Sequence, residues 1–312
     1  MNIFYKYTMF HGVESLINPT VRLSPAKILN DPFECRFNEE VKKSIREKIS
    51  LRGLGFDVNP NFPKEDEGSH LMFLIDRELD NFGIFSLSET PRNMLMWAHY
   101  SNEHTGICIG YKKDIFDSIP DKIEDYISIA ASYTPVKVNY DNIRPQVINE
   151  NNSELEKVQA YTYQQLTTKS DDWMYEKEHR CIIPMHWSDE VKIIENSDAD
   201  LDMRQTGMIQ DFIKENKIKK NENGNYDGEL LPVMISFYKT YKGAIFLKKI
   251  NKSSIDSIYL GCRFNQRDAN KIMSVVSKEE NGLKHIKIFQ CIPSPNRFEI
   301  IPYQIYPEIE NQ

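Results

Sequence analysis

The chain has 312 residues, 40% hydrophobic and 27% charged, which is typical of a folded protein rather than a disordered one. A net charge of -7 and a pI near 5.6 argue against a broadly basic surface for nucleic acids or membranes. No apolar run approaches the roughly 20 residues of a transmembrane helix. The first ten residues are too short and too polar for a signal peptide. We therefore expect no membrane partner.

Five cysteines are scattered along the chain, without the close Cys or His spacing that a zinc site requires. We interpret them as reduced thiols in or near the core, predict a cytoplasmic protein, and expect no bound metal. They are Cys35, Cys108, Cys181, Cys262 and Cys291.

The first half of the chain alternates extended segments with segments whose apolar residues recur at helical spacing. Residues 1–37 are predicted to be short extended pieces and turns. In chain order the patterns predict a strand at 21–25, a helix at 38–51, a loop at 52–70, a helix at 70–80, a strand at 84–88, a helix at 91–101 and a strand at 106–111.

In the second half, Ser153 and Glu156 have the spacing of a capping box, which predicts a helix start. The remaining patterns predict a strand at 136–140, a helix at 153–168, a hairpin of 180–184 with 191–194, a helix at 208–218, strands at 232–238 and 243–248, a strand at 255–260, a helix at 267–278 and a strand at 284–292.

These elements predict a mixed α+β fold, with mainly antiparallel sheets, flanking helices and a small C-terminal strand–helix–strand unit. We assign residues 1–225 to a main domain that carries the motifs. Residues 226–312 form a strand-rich C-terminal part, which is either a second domain or part of the same one.

The first polar motif is the turn Asn30-Asp31-Pro32, followed by Phe33 and Glu34. Asn and Asp side chains commonly hydrogen-bond the backbone of such turns, so a purely structural role accounts for the motif. Alternatively, the turn holds Glu34 in a cleft.

The second motif joins a predicted strand to the helix that follows it. The helix carries Trp97, His99 and Tyr100, and His104 follows it. A spacing of five residues places the two histidines on different helix faces, which argues against a shared metal. We interpret the aromatic residues as a packed cluster or as a surface that stacks on a planar ligand. The strand contributes Ser86 and Ser88.

The third motif begins at Lys169-Ser170, continues with Trp173 and Tyr175, and ends with the alternating residues Glu176, Glu178 and Arg180. On an extended segment the alternation places the three charged side chains on one face. Two close carboxylates repel each other unless a cation such as Arg180 compensates. The segment is therefore either a surface ion-pair ladder or a carboxylate pair at a cleft, with Trp173 and Tyr175 as its aromatic wall.

Together the three motifs resemble the bacterial family of proteins of unknown function DUF2971, over about residues 4–184 and weakly at 258–261. That resemblance implies no mechanism. Such proteins are often suspected of acting as toxins or in phage defence.

A weaker resemblance is to the Arg-Ser-Glu-type ADP-ribosyltransferases, which consume NAD as a substrate. It implies that Arg22 contacts the phosphates and that Ser86 and Ser88 brace the site. It further implies that Glu178 stabilises the cationic sugar formed as nicotinamide leaves, while Glu176 orients an acceptor, which is a protein or a nucleic acid.

With the turn and the aromatic residues added, the predicted NAD-binding set is Arg22, Asn30, Asp31, Ser86, Ser88, Trp97, Tyr100, Trp173, Tyr175 and Arg180, and the predicted catalytic set is Glu178, Glu176 and His99.

Two other functions remain open at this stage. One is a ligand sensor or protein-interaction module without catalysis, and the other is a metal-dependent nuclease or hydrolase that uses Glu34, His99, His104 and Glu178. For the transferase function, we expect Glu178→Gln to remove activity with little loss of stability. We also expect the three motifs to line one central cleft.

Overall fold

The computed structural model describes residues 3–57, 59, 63–116, 131–143, 153–194 and 203–307. Its strands are β1 (Ile3–Thr8), β2 (Thr20–Pro25), β3 (Phe82–Ser88), β4 (Ile107–Lys112), β5 (Ser132–Lys137), β6 (Asn139–Tyr140), β7 (Thr168–Lys169), β8 (Glu178–Pro184), β9 (Glu190–Ile193), β10 (Lys219–Lys220), β11 (Tyr226–Asp227), β12 (Ala244–Lys249), β13 (Ile255–Leu260), β14 (Lys287–Pro293) and β15 (Ile300–Tyr306). Its α-helices are α1 (Glu14–Ile17), α2 (Glu39–Lys48), α3 (Lys64–Leu79), α4 (Met94–Tyr100), α5 (Glu154–Thr167), α6 (Met203–Lys214), α7 (Leu231–Tyr238) and α8 (Gln266–Ser277). This arrangement confirms the mixed α+β class with mainly antiparallel pairing.

The main sheet divides into two branches at β3. One edge of β3 pairs with β8 along its whole length, and β5 pairs with the far edge of β8. The other edge of β3 pairs with β2 near Ile84 and with β1 at Ser88. From β2 the sheet continues through β12, β9, β11 and β10, and from β1 it continues through β4, β13, β14 and β15.

Lys6 lies where the partner of β3 changes from β2 to β1. Its ammonium donates a 3.0 Å hydrogen bond to the carbonyl of Ser86 and lies 5.5 Å from the centre of the Phe85 ring. Burial lowers the pKa of Lys6, and the carboxylate of Glu178 acts in the opposite direction. The branch point therefore contains a lysine with a direct electrostatic connection to β8.

Successive side chains of β3 and β8 lie on opposite faces of the sheet. Phe85, Leu87 and Cys181 belong to the larger core, which also contains buried residues of α7 and α8. On the opposite face, Ile84 and Ile182 belong to a second core with buried residues of α2 and α5. That second face turns from apolar to polar towards one end of β3 and β8, where it carries Ser86, Ser88, Glu178 and Arg180.

Side-chain caps start two of the predicted helices, and the second of these caps was itself predicted. The Asn38 side chain accepts a hydrogen bond from the backbone of Val41 at the start of α2. Ser153 and Glu156 form both bonds of the capping box at the start of α5. No helix among the described residues is both long and apolar enough to cross a membrane.

The C-terminal strand–helix–strand unit is confirmed, because α8 connects β13 to β14 and these two strands pair in parallel. Strands that follow residue 225 join the same sheet as those before it, since β12 pairs with β2 and β13 pairs with β4. A domain boundary at 225 stays a prediction.

Three predicted elements are wrong. Residues 232–238 belong to the helix α7 instead of a strand, because a short continuous apolar run fits either structure. Strands β8 and β9 do not form a hairpin, since β8 pairs with β3 and β5 whereas β9 pairs with β11 and β12. The predicted loop at 52–70 ends early because α3 begins at Lys64.

The loop between α4 and β4 has an unusual backbone. Asn102, Glu103 and His104 have φ angles of 46°, 52° and 70°, in the left-handed region that L residues seldom adopt. The loop packs closely on the end of β13, where the amide of Gly261 donates to the carbonyl of Gly106. A Cβ atom added to Gly261 would lie 2.1 Å from the carbonyl oxygen of His104.

We expect Gly261→Ala to lower the free energy of unfolding by about 1–3 kcal/mol, because the new methyl group meets rigid backbone. Chemical denaturation measures the change. Gly207→Ala is the matched control, since nothing lies within 4 Å of its added Cβ and Gly207 is within α6. Alanine there should be neutral or stabilising by about 0.5–1 kcal/mol. Equal losses in the two variants would contradict the proposed clash.

Candidate functional site

Arg180 lies at the centre of a buried charged cluster on the polar part of the second sheet face. Its side chain is 0% exposed. The guanidinium donates to both oxygens of Glu178, with Nε to Oε1 and Nη2 to Oε2 each at 2.9 Å. It also donates to Glu34 Oε1 at 2.7 Å and to the backbone carbonyl of Leu166 at 2.8 Å. Arg180 therefore connects β8 to the turn that follows Asp31 and to the end of α5.

Lys169 is the second buried cation of the cluster. Its ammonium lies 2.7 Å from Glu176 Oε2, 3.3 Å from Glu178 Oε2 and 3.5 Å from Glu34 Oε1. The same ammonium lies 4.6 Å from the centre of the Trp173 ring, within range of a cation–π contact. Lys169 thus contacts all three buried glutamates.

The cluster contains three carboxyl groups and two cations, so it has one excess negative charge when all three acids are ionised. Glu34 is the least satisfied of the three acids. Its Oε1 accepts from Arg180, whereas its buried Oε2 has no hydrogen-bond partner among the described residues. A buried acceptor without a partner costs about 1–3 kcal/mol.

The surroundings shift the pKa values of Glu34 and Glu178 in opposite directions. Burial raises the pKa of Glu34, and the charges of Arg180 and Lys169 only partly offset this effect. Burial alone would also raise the pKa of Glu178, but Arg180, Lys169 and a hydrogen bond from Ser86 outweigh it and lower that pKa to about 2. Glu178 is therefore ionised at neutral pH, and Glu34 is the acid most disposed to hold a proton.

The predicted alternation of the third motif is wrong in part. Glu176 ends a 3-10 helix at residues 171–176, and Lys177 adopts a left-handed backbone with φ 47° before β8 begins at Glu178. Only Glu178 and Arg180 share a strand face. The carboxylate of Glu176 reaches the cluster through Lys169 instead, and the ion pairs are buried rather than forming a surface ladder.

The turn of the first motif and the helix of the second motif meet at this cluster. The Asn30 amide donates to the Tyr100 hydroxyl at 2.9 Å, and that hydroxyl donates to Glu176. Asp31 is buried and accepts from the backbone amides of Phe33 at 2.8 Å and Ser170 at 3.4 Å. The side chain of Asp31 thus stabilises the turn, as its sequence indicates.

The residues of the predicted Arg-Ser-Glu set lie on three adjacent strands. Arg22 is exposed on β2, Ser86 is half-buried on β3, and Glu178 is buried on β8. Strand pairing and side-chain alternation place all three on the same face of the sheet. Ser88, on that face too, is buried and donates to the carbonyl of Glu176 at 2.7 Å.

The aromatic residues have different surroundings. Trp97 is fully buried and donates to the carbonyl of Pro91 at 2.8 Å. His99 is exposed, with its ring centre 6.4 Å from that of Tyr175 and 6.5 Å from that of Tyr100. The Trp173 ring centre lies 6.2 Å from that of Tyr175.

A cavity of about 240 Å³ lies beside the charged cluster. Asp31, Glu34, Gln165 and Lys169 line its inner part, and the exposed Asp141 also lines it. Its volume is smaller than the roughly 300–1,000 Å³ of sites for drug-sized ligands. The cavity is therefore too small for a whole dinucleotide.

Comparison with known proteins gives one match. The family model described as "Protein of unknown function (DUF2971)" matches residues 96–181. The match runs from α4 into β8 and includes Lys169, Glu176, Glu178 and Arg180 of the cluster. It confirms the resemblance to DUF2971 over this segment, which is just over a quarter of the chain. No curated protein and no solved structure matches the chain, and the resemblance to ADP-ribosyltransferases finds no support in these comparisons.

Sequence reasoning did not select Lys169, Lys6 or Tyr140 as site residues. Tyr140 is half-buried, and its hydroxyl accepts a 2.7 Å hydrogen bond from the backbone of Glu178. Lys169 stands at the start of the third motif, which contains more glutamates than arginines. This excess of acidic residues was the sequence signal that could have indicated a second cation. Lys6 gave no such signal, since its role depends on the branching of the sheet.

We expect Glu178→Gln to lower the free energy of unfolding at pH 7 by about 3–5 kcal/mol, because it breaks the paired hydrogen bonds between a buried guanidinium and an ionised carboxylate. This replaces the sequence-based expectation of little loss. The pKa of Glu178 is depressed in the fold, so its stabilising contribution is complete above the unfolded value of about 4.3 and is lost as pH falls towards about 2. Denaturation at a series of pH values should show that the free energies of unfolding of wild type and Glu178→Gln become equal in acid.

The control for that variant is Glu89→Gln, whose carboxylate is partly exposed and lies 3.4 Å from Lys137. Loss of this pair should cost no more than about 1 kcal/mol. Similar costs for the Glu178 and Glu89 variants, or a constant gap between wild type and Glu178→Gln from pH 7 to pH 2, would contradict the buried network.

We expect Trp97→Ala to cost about 3–5 kcal/mol of stability, because it removes a fully buried ring and leaves a cavity. His99→Ala should change stability by less than about 0.5 kcal/mol, since His99 is exposed. Urea denaturation of both variants provides the comparison. An equal loss in both would show that His99 is part of the core.

Proposed function

We propose that the chain is an ADP-ribosyltransferase-like enzyme that cleaves the bond between nicotinamide and ribose in NAD. The observation that carries this proposal is the row formed by Arg22, Ser86 and Glu178 on three adjacent strands of one sheet face. The three residues are far apart in the sequence, and the pairing of β3 with β2 and with β8 supports placing them on one face of the sheet.

Each residue of the row has a feature that suits its proposed role. Arg22 is exposed as a residue, although partial burial of its guanidinium lowers its pKa, and it is the proposed donor of charge-assisted hydrogen bonds to the diphosphate of a dinucleotide. Glu178 is ionised and held on both oxygens, which fixes a negative charge at one place. A fixed charge stabilises positive charge that develops on a sugar, and it does so without reorganising. Ser86 is the proposed support for the Glu178 carboxylate, because a hydrogen bond from its side chain helps to lower the pKa of Glu178.

The half-buried ring of Tyr175 is the proposed stacking surface for the nicotinamide. The dinucleotide would lie along the open face beside Arg22 rather than inside the cavity, which is too small for it. In hydrolysis the acceptor is water, whereas in transfer it is a side chain or nucleotide that Glu176 would orient. Nicotinamide is released in both cases, so its release is the most general measure of activity.

A second candidate is a binding protein without catalysis, and the pairing of the carboxylates favours it. Glu178 accepts from Arg180 and Lys169, and Glu176 accepts from Lys169 and Tyr100. Cations so close to Glu178 weaken the negative field that a reacting sugar would experience. For a metal-dependent nuclease we find no such favourable observation, since no three His, Cys, Asp or Glu side chains of the described residues are grouped as a metal site requires.

We expect the wild-type chain to release nicotinamide from NAD and Arg22→Ala to lower kcat/KM about 10–100-fold. The reason is that Arg22→Ala removes a charged hydrogen-bond donor, and such a bond contributes about 1.5–3 kcal/mol. Chromatographic measurement of nicotinamide, together with calorimetric titration of NAD, separates cleavage from binding.

Arg267→Ala is the control, because Arg267 is exposed on α8, whose buried residues belong to the core of the opposite face. Its kcat/KM should equal that of the wild type. NAD binding without nicotinamide release would favour the second candidate. Neither binding nor release, or an Arg22→Ala enzyme with wild-type kinetics, would refute the proposal.

A further inference from the structure

The branch of the sheet leaves Ser86 outside the pairing of β3 with both β1 and β2. Strand β2 pairs with β3 at Gly83 and Ile84, and β1 pairs with β3 at Ser88. The carbonyl of Ser86, which lies between these positions, accepts a 3.0 Å hydrogen bond from the ammonium of Lys6. Backbone carbonyls inside a protein need a donor, and here a side chain supplies it in place of a neighbouring strand.

Ser86 connects Lys6 to the charged cluster. On the other edge of β3, Ser86 pairs with Arg180 of β8. The side chain of Ser86 gives a hydrogen bond that helps to lower the pKa of Glu178. One residue is therefore bound by Lys6 at its carbonyl and bound to Glu178 through its hydroxyl. Because both bonds belong to Ser86, a displacement at the branch moves the donor that supports the carboxylate.

Lys6 also acts on Glu178 through its charge. Burial lowers the pKa of Lys6, and the carboxylate of Glu178 is the strongest influence that opposes burial. An attraction between two charges is mutual, so the ammonium of Lys6 favours the ionised form of Glu178. Arg22, on the neighbouring strand β2, repels the Lys6 ammonium and lowers its pKa further. The branch thus holds Lys6 between a carboxylate that attracts it and a guanidinium that repels it.

Several other titratable groups surround Glu178. Arg180 and Lys169 contact its carboxylate directly, at 2.9 Å and 3.3 Å. The remaining groups lie on the turn after Asp31, on the 3-10 helix, and on β6 and β8, and they are Glu34, Cys35, Glu176, Tyr140 and His179. Lys6 reaches Glu178 from β1, so its influence, unlike theirs, depends on the branch of the sheet.

We propose that Lys6 is a positioning residue of the site, which holds Ser86 at the branch and thereby keeps the Glu178 carboxylate fixed and ionised. Lys6 acts through Ser86 and through its charge, and it is not itself a catalytic group. The use of this positioning in cleaving NAD rests on the proposed function, whereas the positioning itself does not.

The first test is titration of the Glu178 carboxyl by carbon-13 NMR in the full chain, with Glu178→Gln used to assign the signal. Lys6→Met removes the charge and the donor, so the pKa of Glu178 should rise by about 0.5–1 pH unit. The matched control is Lys137→Met, because Lys137 lies on β5 beside β8 but is exposed and pairs with Glu89. It should change the pKa of Glu178 by less than about 0.2.

The second test is a double-mutant cycle of Lys6→Met and Glu178→Gln, measured by chemical denaturation from pH 7 towards pH 2. At pH 7 the coupling should favour the wild-type pair by about three- to tenfold in the folding equilibrium constant, as a change of 0.5–1 in pKa requires. The coupling should disappear towards pH 2, where Glu178 gains a proton. A lysine that only fills space would cost the same stability at every pH and in the presence or absence of the Glu178 carboxylate.

Nicotinamide release connects the positioning to the proposed function. Lys6→Met should lower kcat about three- to tenfold with little change in KM, because a misplaced carboxylate loses interactions made in the transition state. An unchanged kcat would show that cleavage does not use the positioning. A wild type that releases no nicotinamide would refute the proposed function, and the two measurements without NAD would still decide the role of Lys6.

An unchanged pKa of Glu178 in Lys6→Met would overturn the inference. A coupling that is absent at pH 7, or that persists unchanged to pH 2, would overturn it as well. If Lys6→Met does not fold, Lys6→Gln decides the question, since it retains an N–H donor and loses the charge. The pKa of Glu178 should then rise in Lys6→Gln as well, and no rise there would contradict the proposed role.

Discussion

The completely buried guanidinium of Arg180 is the constraint on which the arrangement of the site depends. A guanidinium cannot lose its proton inside a protein, so burial obliges the fold to supply acceptors in the plane of the group. Those acceptors come from three different elements: Glu178 on the same strand, Glu34 after the Asn-Asp-Pro turn, and the carbonyl of Leu166 near the end of α5. The turn and the helix are thereby fixed against β8, and the cavity lies in the angle between them.

The branching of the sheet produces the surface on which this cluster lies. Because β2 and β1 share one edge of β3, the polar end of β3 and β8 is approached by side chains from both branches. Lys6 extends from β1 to the carbonyl of Ser86, and Arg22 lies near enough on β2 to lower the pKa of Lys6, although burial is the larger cause. Lys169 on β7 and Arg180 on β8 contact the buried carboxylates, whereas Lys6 on β1 is bound at the carbonyl of Ser86 and acts on Glu178 at longer range. The branch of the sheet thus adds a buried positive charge to the surroundings of Glu178.

Local signals in the sequence predicted many of the elements but not the way in which they pair. The capping box of Ser153 and the apolar spacing of α2 identified helices because both depend on neighbours three or four residues away. The strands that pair with β9 lie more than thirty residues further along the chain. Nothing in the sequence near β8 and β9 therefore argued against the predicted hairpin. Similarly, the motifs indicated Glu178 and Arg180 as an ion pair. The burial of this pair, and the additional ion pairs with Lys169 and Glu34, were not predicted. They depend on contacts between residues as many as 146 positions apart in the sequence.

The imbalance of charge is the strongest reason to regard the cluster as more than a structural element. A buried ion pair adds little net stability compared with apolar residues of similar size, because desolvation offsets most of the attraction. Two carboxylates with two cations would be sufficient to fix β8 against its neighbours. The third carboxylate, Glu34, adds desolvation and an unpartnered oxygen, and it gains one good bond to Arg180. Burial raises the pKa of Glu34 whereas the neighbouring cations lower that of Glu178, so a proton removes the excess charge more readily at Glu34 than at Glu178. The net charge of the cluster therefore depends on the carboxyl group that Arg180 fixes on the turn beside β8.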